Sequence, residues 1–410
     1  MTDEHANISV GSPPSPSAWQ QFWNSSAPKR IAVTVAILTI YRLGLLIPAS
    51  HVSTASLYHD GAGAPQYWPD LIARISYFAI GLTPVISILI IAEAFKLAFS
   101  DVREWSQNAA SRATFNRVVV VLSLLLAALQ GYGISVALEQ ANDAMQNSPH
   151  PLLLETGAQG RTIYIVSVVA ATALCFWLAD QITRHGLGSG IWFIYLLGPV
   201  IGLAALPADF ATRVQIGELA PSSVALTAAV LLASAAAVVT LTRLWLQWAE
   251  ITDVNPENGM RPDAIALSIM VWPPLLASSC AALLYWPLSL AMSDADTSSG
   301  SHRSILIITI MSGLLAWLFT ALMVRTFPAV KARDQTRTRV LAGLTVLLSS
   351  ALIVAFEALV WYAGIPVNVH APSFIAIIAI LATLLPRDLT PYLPAPREEP
   401  PITDADFEQR

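Results

Sequence analysis

Charged and thiol side chains set inside apolar runs are the first places to look for chemistry, because burying them without a role is costly. Glu93, Asp180, Arg243 and Glu357 are the ionisable candidates for coupling an ion or a proton to transport, and the first three lie near the ends of their runs. Cys175 and Cys280, the only cysteines, form no CxxC or His-spaced cluster. They are expected to be buried free thiols, with no disulfide framework and no metal site. No nucleophile, carboxylate pair or phosphate-cradling loop stands out, so neither an enzyme nor a cofactor is expected. The stretch ADQITRHGLGSGIWF, Ala179 to Phe193, offers something else: the basic pair Arg184 and His185, then Gly186, Gly188 and Gly190 at every second position. Glycine admits positive φ, so this stretch is expected to end one helix and reverse the chain tightly before the next. An ordinary helical hairpin would use the same residues.

The elements that hold these residues follow from composition. Of 410 residues, 55% are hydrophobic and only 12% charged, and the mean hydropathy is +0.59. That is more apolar surface than one soluble core of this length can bury, so the chain reads as a polytopic, all-α membrane protein. A hydrocarbon layer about 30 Å thick takes roughly 20 apolar residues per helix. That ruler marks ten candidate spans: Arg30–Pro48, Ile75–Leu97, Arg117–Leu138, Thr162–Ile182, Gly190–Leu206, Ser223–Gln247, Ala264–Leu288, Ser304–Val324, Val340–Trp361 and Pro372–Leu385. With the amino terminus inside, only Arg42, Arg74, Arg161, Arg213 and Arg303 of the 22 Lys and Arg residues fall outside. This positive-inside bias supports the orientation and puts both termini in the cytoplasm. The net charge of −5 argues against nucleic-acid binding. The first 28 residues are polar and Ser/Pro-rich, without the early apolar segment of a cleavable signal peptide.

Five segments, in order along the chain, resemble the SecY family of protein-conducting channels. The family pattern GEQITERGIGNGIS is similar to ADQITRHGLGSGIW here, keeping Gln181, Ile182, Thr183, Arg184 and the three glycines. RxSIFALGIxPYISASI is similar to RISYFAIGLTPVISILI from Arg74, with Ser76, Phe78, Ala79, Gly81, Pro84, Ile86 and Ser87 retained. RxGxxIP appears as Arg42, Gly44, Ile47 and Pro48, LAxxQSxGI as LAALQGYGI with Gln130, and PxIFASS as PPLLASS from Pro273 to Ser279.

The resemblance implies ten transmembrane helices in two inverted five-helix halves around a central pore, residues 29–206 and 207–386. Polar tails at 1–28 and 387–410 flank them, the second acidic and Pro-rich, and a plug segment lies near 50–73. An odd number of spans per half agrees with this, since it forces the second half to be inverted. It further implies a lateral gate between spans two and seven, carried here by Pro84, Ser87, Gln130 and Pro273. Both prolines are expected to kink their helices. The apolar pore ring maps to Leu82, Ile86, Ile191, Tyr195, Trp272 and Ile375, with Tyr195 and Trp272 departing from the family's aliphatic character.

Implied partners are a SecE-like single-span subunit, a SecG-like subunit, secretory or membrane protein clients and the lipid bilayer of a bacterial inner membrane. The family's long basic cytoplasmic loops are shortened here. One is reduced to the acidic stretch from Trp248 to Asp263, and the other keeps Arg333, Arg337 and Arg339. The chain therefore reads as a divergent, specialised paralogue with weak or absent SecA and ribosome docking. Two other readings stay open: a small-solute secondary transporter of the same five-plus-five plan, and a SecY-like protein that binds partners without translocating.

Overall fold

Backbone polar groups inside lipid must be satisfied within their own segment, which makes helices the natural state of long apolar runs. The computed structural model describes residues 27–49, 52–53, 75–144, 152–251, 262–291, 300–326, 335–363 and 371–389. The described helices are α1 (Ala27–Gly44), α2 (Thr83–Ala98), α3 (Ser100–Gln107), α4 (Ala109–Ala144), α5 (Gly157–His185), α6 (Gly190–Gln215), α7 (Pro221–Ile251), α8 (Pro262–Ala291), α9 (Gly300–Thr326), α10 (Gln335–Ala363) and α11 (Ala371–Leu389). Each apolar run marked from the sequence overlaps one of them. Six helices, α4 to α8 and α10, are long and apolar enough to cross a membrane, while the apolar stretches of α9 and α11, Ile310–Val324 and Ala371–Thr383, are shorter. Buried hydroxyls on these helices bond carbonyls of their own turn, as Ser123, Thr242, Thr320 and Thr383 do. This removes the cost of a polar group in an apolar layer.

Neighbour relations repeat along the chain. In the first group α1 packs on α5 and α6, α2 on α4, α4 on α5, and α5 on α6. In the second α7 packs on α10 and α11, α8 on α9, α9 on α10, and α10 on α11, and α8 packs in addition on α7 and α11. The five pairings named for the first group thus recur in the second, which adds two of its own. The groups meet along a seam where α2 packs on α8 and α9, and α6 packs on α11.

Three local features differ from the sequence expectation. The second apolar run becomes helical only at Thr83; residues 75–82 are irregular. Their backbone is used elsewhere, since the Ala49 N–H donates to the Ile75 carbonyl (3.0 Å) and the Tyr77 N–H to the Ile47 carbonyl (3.2 Å). Gly81 then turns the chain with φ +52°, where a Cβ would lie 2.5 Å from the Tyr41 hydroxyl. Pro84 consequently sits in the first turn of α2, where its missing N–H costs nothing. It starts the helix and does not kink it. The fifth run extends to Gln215 with Pro199 and Pro207 inside the helix, longer than its expected end at Leu206. The short helix α3, with polar SDVREWSQ sequence, was not expected as an element.

Candidate functional site

Five of the six residues expected at the waist, all but Ile86, divide between two buried clusters that adjoin at the seam. Leu82, at the cap of α2, and Ile191, on α6, belong with Ile37, Tyr41, Phe78, Cys175 and Ile194 in the first group. Tyr195, Trp272 and Ile375 belong with Ile269, Phe374 and other residues of the second group. Phe193 packs against both clusters. Leu82, Ile86 and Ile375 are buried, whereas Ile191, Tyr195 and Trp272 are half-buried. Aromatic rings meet around these positions. Trp192 lies 5.4 Å from Trp272, centroid to centroid, with planes tilted by 58°, and 6.3 Å from Tyr195 in an edge-on arrangement. Trp192 was not singled out from the sequence, although it sits directly after the matched Gly190–Ile191 pair.

The stretch that begins α6 is built for close approach. Of its three glycines only Gly188 has positive φ (59°), which corrects the expectation that all three turn the chain that way. Gly190 is needed for space instead, because a Cβ there would strike the Ala179 carbonyl oxygen. Its N–H donates to Thr183 Oγ1 (2.9 Å), whose hydroxyl donates in turn to the Ala179 carbonyl (2.9 Å). A Cβ on Gly186 would meet Thr34 Oγ1. The turn is anchored to α1, with Arg30 Nε donating to the Gly186 carbonyl (2.9 Å) and the Leu187 N–H to Thr34 Oγ1 (2.9 Å). The foot of α6, and with it Ile191, Trp192 and Tyr195, is held by backbone bonds.

The remaining candidates fall in three places. Ser87 donates to the Thr83 carbonyl of its own helix (3.0 Å), so this hydroxyl bonds within α2. Gln130 is half-buried on α4, the helix that packs on α2, and Pro273 is buried within a continuous α8. Arg337 and Arg339 are exposed in the first turns of α10. Arg333, the expected plug segment apart from residues 52–53 and most of both tails lie outside the described residues. Glu93 pairs with Lys96, and Asp180 with Arg184 (2.8 Å), each along its own helix. Both cysteines are free thiols, Cys175 buried and Cys280 half-buried.

Near the carboxyl end of α4, Glu139 accepts from Arg161 Nε (2.8 Å) and from the Gly157 N–H (2.9 Å) at the start of α5. The loop before α5 also ties to residues 52–53, with Val52 bridged to Leu153 and the Ser53 N–H donating to the Leu152 carbonyl (2.9 Å). Both ends of the stretch between α1 and α2 are thus fixed to the first group, through residues 47–49 with 52–53 and through residues 75–77.

The SecY family model matches residues 76–356. Protein translocase subunit SecY of Rickettsia typhi is 24% identical over 323 residues, 72% of this chain and 72% of that protein. The protein of the same name from Staphylococcus epidermidis is 28% identical over 205 residues, 48% of this chain and 46% of that protein. Among solved structures, one described as a protein conducting channel superposes with a TM-score of 0.54 at 13% identity, covering 90% of this chain and 95% of that one. Sec61 in a canine ribosome-channel complex from the endoplasmic reticulum gives 0.54 at 12% identity, with the same coverage.

Proposed function

The chain belongs to the SecY family, and from that premise we propose that it is the protein-conducting channel of a Sec-type translocase, moving unfolded polypeptides across a membrane or releasing helices into it. The observation that carries the reading is the repeated neighbour pattern. Two groups of five helices meet at one seam, and the family's pore positions fall on the elements along that seam. A chain-wide pathway needs a joint that opens without unfolding either side, and a seam between two similar bundles supplies one. Apolar side chains at its waist exclude water and ions when no client is present.

In this reading ten helices span the membrane as two inverted halves, residues 29–206 and 207–386, with both termini in the cytoplasm of a bacterium. Leu82, Ile86, Ile191, Tyr195, Trp272 and Ile375 form the seal. The lateral gate opens where α2 leaves α8, between the faces carrying Pro84 and Ser87 and that carrying Pro273, with Gln130 behind. A SecE-like single-span subunit clamps the two groups, with a SecG-like subunit alongside, and SecA and ribosome docking is weak because the basic loops are short. A solute transporter fits less well, since Glu93 and Asp180 are each paired with a neighbouring cation on the same helix.

The test is a client arrested in transit through proteoliposomes that hold the protein with its single-span partner. A cysteine in the arrested segment is expected to crosslink to cysteines placed at Ile86 and Ile191. It should not crosslink to one at Leu232, which is 72% exposed on the outer face of α7. Equal crosslinking at all three positions, or none at the first two, would reject the pathway.

A further inference from the structure

We propose that Trp192 and Trp272 form the closing contact of this pathway: a pair of positioning residues that latches the two helix groups together and sets how readily the seam opens. The inference rests on the channel reading above and adds a residue to it. Trp192 stands in the first turn of α6, on the foot that Gly190, Thr183 and Thr34 fix by backbone bonds. Trp272 stands in α8, whose neighbours include α9 and α11. Their contact at 5.4 Å and 58° therefore joins a rigid point of the first group to the second. Tyr195, one turn further along α6, supports the Trp192 ring edge-on. Two indole rings thus meet across the seam between α6 and α8, with a third ring braced behind them.

Aliphatic side chains at a constriction exclude water but have no directional hold on one another. Tilted indole rings attract through the negative face of one and the positive edge of the other, in addition to the area they bury. Parting the two groups must separate these rings. The closed state is favoured over the open one by whatever that contact contributes, and a client segment must supply the same amount to open the seam. The pair should therefore lower resting leakage and raise the apolarity demanded of a client.

The experiment records resting ion conductance of the purified channel in planar bilayers for Trp192→Ala, Trp272→Ala, the double variant and Trp272→Phe. Each single Ala variant is expected to raise conductance about two- to tenfold. The double variant should rise no further than the larger single one, because both remove one contact, and Trp272→Phe should restore most of the seal. Rises that multiply in the double variant, or no rise in either single, overturn the latch. Circular dichroism of the same samples reads the contact without conduction. Each single Ala variant should lose the same indole exciton couplet, while the separate Trp245–Trp248 pair, 5.3 Å apart, keeps its own. A couplet unchanged by either substitution overturns the latch whatever the conductance. Ile86→Asn separates the two levels: if it leaks while the Trp variants do not, only the latch fails, and if it too is silent the channel reading falls and the latch with it.

Discussion

The two helix groups have five neighbour relations in common but hold their joints by different means. In the first group, irregular backbone enters the bundle. Residues 45–49, 75–82 and 186–189 are tied by main-chain and hydroxyl hydrogen bonds, and its buried side chains form two separate clusters, one around Tyr41 and Phe78 and the other around Tyr164 and Val168. In the second group a single large cluster runs from α7 through α8 and α10 to α11, and it reaches across the seam to Leu196, Leu206 and Phe210 of α6. There Trp245 and Trp248 bury their rings and donate across to Thr345 (2.8 Å) and Thr338 (3.1 Å) of α10. One bundle is fitted by the absence of side chains at its glycines, and the other by side-chain volume. The group that carries the glycine-rich turn and α2 is thus the one whose shape depends on backbone. A backbone joint moves as a piece, whereas a volume-filled core resists being parted.

That contrast can be broken or sharpened by substitution, read as stability in detergent. Trp245→Ala should cost most, about 3–5 kcal/mol, because it empties a fully buried site in the second group. Gly190→Ala comes next at about 1–3 kcal/mol, since the added methyl meets a main-chain carbonyl that cannot move aside. The same change at Gly343, which has open space around it in the second group, should be neutral or slightly favourable; a matching loss there would erase the distinction. Thr345→Val should cost about 1–2 kcal/mol by leaving the Trp245 N–H buried without its acceptor. Ser87→Ala is expected to change stability by less than about 0.5 kcal/mol, because that hydroxyl only bonds its own helix. A larger loss would show that Ser87 makes a contact across the gate.

How much of this was legible in the sequence follows from the same contrast. Apolar runs and the length a bilayer demands located every described helix but the polar α3, because those depend on local composition. The motif around Gly190 located the turn, and its neighbours identified the family. The start of α2 was misjudged because hydropathy runs unbroken through residues 75–82. What stops the helix there is pairing with residues 47–49, far away in sequence, although Gly81 followed by Thr83 and Pro84 was a usable start signal. Gly186 and Gly190 were read as turn glycines, yet their need for space depends on Thr34 and Ala179, which only the folded chain brings near. Trp192 escaped notice for a similar reason, since its partner Trp272 lies on another helix of the other group.

The central claim, two bundles that part along one seam to pass a client, is tested most directly by distances between spin labels on exposed positions. Labels at Leu174 of α5 and Leu347 of α10 report across the seam, while Leu125 with Leu174, and Leu314 with Leu347, report within each group. On engaging an arrested client, the distance across the seam should shift by several ångströms while the two internal distances stay fixed. Internal distances that change as much as the cross-seam one, or a cross-seam distance that does not move, would contradict the account.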